Sequence, residues 1–108
     1  MIIDIIEPPS GKCPVQASGT IGGEPWYFRA RGCGWSVSFG PWDKEIPWYI
    51  HNAVLLVHGR YGERAQAGYM PAEHAETCLK LAFDLWIKGV RGEAEITDGP
   101  QPDGEGVS

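Results

Sequence analysis

Apolar and polar residues alternate with period two through residues 13–40. Ala17 and Ile21, then Trp26, Phe28 and Ala30, then Trp35, Val37 and Phe39 take one parity of their segments; Gln16, Ser18, Thr20, Tyr27, Arg29, Ser36 and Ser38 take the other. Successive side chains of a strand point to opposite faces, so the pattern predicts a three-stranded antiparallel meander with one buried and one solvated face. A four-residue turn at Gly22-Gly23-Glu24-Pro25 sets Ile21 opposite Trp26, Phe28 over Gly19 and Ala17 opposite Ala30. A second turn over Arg31 to Gly34 sets Ala30 opposite Trp35, Phe28 opposite Val37 and Trp26 opposite Phe39. A slip of one residue would pair Val15 and Ala17 with the arginines, so the hydrophobic pattern disfavours it.

Around the meander the signals are simpler. Ile2–Ile6 reads as an edge strand stopped by Pro8-Pro9 and Gly11. Pro41 to Pro47 reads as a loop carrying Trp42. Ile50 to His58 reads as a strand, and its unbroken Ala53–Val57 run predicts cover on both faces. Gly59 to Gly68 is a connection with Arg60, Tyr61 and Arg64 on a glycine-flanked tip. Pro71 to Lys88 is a helix: proline suits the first turn, Glu73 and Glu76 favour its positive end, Lys88 its negative end, and Gly89 stops it. Ala75, Cys78, Leu79, Ala82, Leu85 and Trp86 form one apolar stripe, laid across the apolar face of the meander. The fold expected is α+β, an antiparallel sheet of four to five strands with one long C-terminal helix packed on one face. Residues 1–90 make a single compact domain, and 91–108 an acidic, Gly/Pro-rich tail without fixed structure.

A chain of 108 residues holds one modest core, and its 43% hydrophobic content is ordinary for a globular protein. No run approaches the roughly 18 apolar residues of a membrane span. The N-terminal stretch has no basic region, so the expected location is cytoplasmic. Of the net charge of −5, residues 1–90 carry nine acids against eight bases, while 91–108 carry five acids against Arg91. The acidity belongs to the tail, which disfavours a folded mimic of DNA phosphates.

Candidate chemistry is sparse. The cysteines Cys13, Cys33 and Cys78 are odd in number and lack C-x-x-C spacing, so free thiols are expected. The meander register sets Cys13 opposite Gly34 and Cys33 opposite Pro14, with the thiols on different faces. His51, His58 and His74 show no metal-ligand spacing, and no cofactor or metal site is assigned. A Cys33–His58 nucleophile pair needs a proximity that nothing in the sequence supplies. The glycines of Gly32-Cys33-Gly34 lead into a strand and lack a following Lys-Ser/Thr, so turn chemistry accounts for them.

Four of the five tryptophans fall between Trp26 and Tyr49. Trp26 and Trp35 go to the core by parity, whereas Trp42, flanked by Gly40, Pro41, Asp43 and Lys44, is the candidate exposed anchor. The polar face places Tyr27 and Arg29 side by side among small neighbours, with Arg31 at its margin. Tyrosine and arginine are frequent interface anchors. Two basic residues are too few for an electrostatic groove, which argues against nucleic acid.

The meander around Trp26-Tyr27-Phe28-Arg29 and Trp35-Ser36-Val37-Ser38, followed by the late helix Pro71–Lys88, resembles in layout the small accessory proteins of phages and prophages, anti-CRISPR proteins included. The resemblance covers about two thirds of the chain and implies a non-enzymatic domain that docks on a host machine; it carries over no functional residue. The expected function is therefore recognition of a host protein or protein complex and steric inhibition of it, without catalysis. The expected contacts are Tyr27, Arg29 and Arg31, with Trp42 and Arg60 at the rim. The alternatives are a single-stranded nucleic-acid-binding domain and a small thiol- or histidine-dependent enzyme.

Overall fold

The computed structural model describes residues 2–40 and 54–102. Six strands, β1 (Ile3–Ser10), β2 (Val15–Ile21), β3 (Glu24–Arg31), β4 (Gly34–Phe39), β5 (Leu55–Arg60) and β6 (Gly92–Ile96), form one sheet in sequence order. Every pairing is antiparallel except β5 with β6, which run parallel. A short 3₁₀ turn, Gln66–Tyr69, and the helix α1 (Ala72–Ile87) connect those two, as a parallel pair requires a long crossover.

The face assignment made from alternation holds. Val15, Ala17, Ile21, Trp26, Phe28, Ala30, Trp35, Val37 and Phe39 are all buried on the side that α1 covers. The β3–β4 register is the expected one. The β2–β3 register differs by two residues: Gly19 pairs with Trp26, Ala17 with Phe28 and Val15 with Ala30. The turn is only Gly22-Gly23, with φ of 56° and 83°, the two positive values of a type I′ hairpin. Glu24 and Pro25, expected in the turn, belong to β3.

Three further expectations are corrected. The sheet has six strands because Gly92–Ile96, read as tail, pairs along β5; its Ala94 and Ile96 are half-buried, so the ordered body runs past residue 90. β5 is not covered equally on both faces: Leu55 and Val57 are buried, while Leu56 and His58 are only partly so. Tyr61 is not on an exposed tip. It is buried, and its hydroxyl lies 2.7 Å from His74 Nδ1.

α1 follows Pro71 and ends in a Schellman motif: Gly89 (φ 91°) donates to the Trp86 carbonyl and Val90 to that of Leu85. Its stripe buries Ala75, Cys78, Leu79, Ala82, Phe83 and Trp86, with Leu85 partly covered. The contact with the sheet is aromatic. Trp26 meets Phe83 edge-on at 5.1 Å, and Phe39 stacks on Trp86 at 4.9 Å with the planes 11° apart.

Candidate partner-binding face

The face turned away from α1 can be built row by row from the strand pairings. One row runs Gln16, Arg29, Ser36, His58 and Glu95 across β2 to β6; the next runs Ser18, Tyr27, Ser38, Leu56 and Glu93. At the end of the β3–β4 hairpin a third row holds Arg31, Gly34 and Arg60. Parity explains why all three arginines share this face: Arg29 and Arg31 lie two apart on β3, and Arg60 pairs with the Gly34 that Arg31 also pairs with.

Gly34 shapes the corner. It carries no side chain between Arg31 and Arg60, whose strands stand two spacings apart, about 10 Å. A groove of about 490 Å³ opens here, lined by Arg29, Arg31, Gly32, Gly34, Trp35 and Ser36. Among the described residues none of the three arginines has a salt-bridge partner; the pairs formed are His58–Glu93 and Lys88–Asp84. Their donors are therefore free to meet carboxylates in the bidentate geometry a guanidinium offers.

The rest of the face is already engaged. Tyr27 donates its hydroxyl proton to Gln16 Oε1 at 2.6 Å. His58 Nε2 lies 2.9 Å from Glu93 Oε2, with Glu95 directly opposite on β6. The face thus grades from cationic at the arginine corner to anionic along β6.

Of the expected contact residues, Tyr27, Arg29, Arg31 and Arg60 come together on this face, and Arg60 is a member of the arginine corner and not a distant rim. Trp42, with Trp48 and Tyr49, lies outside the described residues. His58, Gly34 and Ser36 complete the site. Ser36, His58 and Glu93 spell a nucleophile–base–acid set, but Ser36 makes no hydrogen bond to His58, so no relay is assembled. Cys33 sits in the β3–β4 turn, exposed and without a hydrogen bond to His58. Cys13 is exposed on the β1–β2 connection beside Tyr69, and hydrogen bonding and charge interaction with it push the Tyr69 phenol above its ordinary value. Among the described residues no group of three or more His, Cys, Asp or Glu could hold a metal ion, and no helix is long and apolar enough to cross a membrane.

Comparison with protein-family models, with curated proteins and with solved structures finds no match.

Proposed function

We propose that the chain is a non-enzymatic recognition domain that docks on an acidic patch of a host protein complex and blocks it sterically, in the manner of an anti-CRISPR protein. One observation carries this reading: Arg29 and Arg31 line the groove floored by Gly34 and Ser36, Arg60 stands across Gly34 on β5, and among the described residues none of the three has a salt-bridge partner. Three solvent-accessible guanidinium groups beside a floor of one glycine and one small serine let a partner backbone approach closely while its carboxylates are held. Tyr27, one row away, extends the contact toward β2.

The test is capture from host lysate, then binding of the purified target, with wild type and Arg31→Glu compared. The expected result is a stoichiometric target bound by wild type and lost by Arg31→Glu, at an unchanged thermal midpoint because Arg31 is exposed. Equal binding by both overturns the reading. Binding to a single-stranded oligonucleotide that weakens steeply with salt would replace the protein partner with nucleic acid.

A further inference from the structure

The edge of the sheet far from the arginine corner carries a second surface, independent of the first. β1 is an edge strand, and the sequence Ile2-Ile3-Asp4-Ile5-Ile6 reads the same in both directions. Its isoleucines are exposed, at 74, 40, 50 and 68%. The other edge, β6, is guarded by Glu93 and Glu95, the charged defence that edge strands commonly show. On β1 the stretch Ile2–Ile6 carries one charge, Asp4; beyond it the pairing with β2 becomes irregular between Ile5 and Glu7, and Pro8-Pro9 follows.

We infer that two copies of this chain pair antiparallel through Ile2–Ile6, about a two-fold axis at Asp4. Backbone direction supports this register. Gly22 donates to the Ile2 carbonyl, and Ile3 pairs with Ile21, so Ile2 and Asp4 turn their hydrogen-bonding groups toward β2. By the alternation of an antiparallel ladder, Ile3 and Ile5 turn theirs to the open edge. A two-fold at Asp4 sets Ile3 of one copy against Ile5 of the other, so each pair exchanges two backbone hydrogen bonds, and Ile2 meets Ile6. The contact is isologous, as a closed dimer requires.

Side chains agree. Ile3 and Ile5 line an apolar groove of about 270 Å³ with Glu76, Leu79, Lys80 and Phe83 of α1. The two-fold reverses the order of these residues in the second copy, bringing Glu76 of one helix toward Lys80 of the other, twice. The isoleucine surface amounts to roughly 400 Å² per copy, and the whole contact to on the order of 1,000 Å², the lower end of stable interfaces. The dimer is accordingly weak and concentration-dependent. Against it stands the Asp4–Asp4 pair, like charges directly opposite.

Sedimentation velocity of the full chain over a range of concentrations tests the inference. Wild type is expected to pass from monomer to dimer, Ile5→Lys to remain monomeric with the circular dichroism of the folded sheet, and Asp4→Asn to tighten the dimer up to about fivefold. A wild type that stays monomeric at every concentration overturns the inference, as does a dimer unaffected by Ile5→Lys. Should Ile5→Lys fail to fold, Asp4→Asn decides: a dimer that does not tighten overturns the register.

Discussion

The indole of Trp26 fills the space that a side chain at Gly19 would need. A β-carbon placed there would come within 2.8 Å of Trp26 Cζ2 and would also run into the backbone carbonyl of Asp4. Gly19 is thus the residue that lets the largest fully buried side chain of the core lie flat against β2 while β1 pairs on its other side. Replacing it with alanine overpacks a site with no flexible neighbour, because one obstacle is backbone. Gly19→Ala is expected to lower unfolding free energy by about 2 to 3 kcal/mol, measured by urea denaturation, whereas a loss under about 0.5 kcal/mol would show that Trp26 has room to move.

This pair also shows what the sequence could and could not specify. Side-chain parity is a property of the pattern, so the buried set of β2, β3 and β4 was legible before any coordinates. Register is a property of the turn. A shift of two residues preserves every face, and hydrophobic patterning is blind to it; only the positive φ values of Gly22 and Gly23 select the two-residue turn and put Trp26, not Phe28, over Gly19. The candidate site divides the same way. Arg29 and Arg31 were visible as a parity pair, but Arg60 looked like loop because Gly59 reads as a breaker. Gly59 instead lies under Trp35, whose ring occupies the place of its missing side chain, and the strand continues to Arg60. The alternation Leu56, His58, Arg60 was the signal that could have placed it. β6 was hidden for a compositional reason: two glutamates in five residues look like tail until β5 is there to pair with them.

Cys78 is chemically set apart from Cys13 and Cys33. It is fully buried against the sheet, and desolvation of its thiolate pushes the thiol from about 9 to about 12. Alkylation of the folded chain should therefore modify the exposed Cys13 and Cys33 and spare Cys78 until the chain unfolds. A raised value favours the neutral form in the folded state, so this contribution to stability is intact below the ordinary thiol value. It is lost as pH rises toward about 12, where the unfolded chain gives up a proton that the folded chain keeps. The stability advantage of wild type over Cys78→Ala should shrink above about pH 9, with a slope approaching 1.4 kcal/mol per pH unit. An advantage constant to pH 11, in paired denaturation curves, would contradict this.

Trp86 is held between two partners of different kinds. Phe39 stacks on one side, and the Arg91 guanidinium stands 3.5 Å from the ring centroid. The same guanidinium nitrogen donates to the carbonyls of Trp86 and Val90, at 3.2 and 2.6 Å. Arg91 therefore caps the negative end of α1, covers the indole and fixes the entry to β6 at once. Truncation to alanine removes all three and should cost about 1 to 2 kcal/mol. Lysine keeps the charge but not the flat guanidinium that lies over the ring while one of its nitrogens reaches both carbonyls, so Arg91→Lys should recover less than half of the loss. The readouts are the denaturation midpoint and hydrogen exchange of the β6 amides, which should accelerate in Arg91→Ala well beyond those of β3. If the midpoint falls while β6 exchange stays in step with β3, Arg91 stabilises only the helix end, and the parallel strand is held by its pairing with β5 alone.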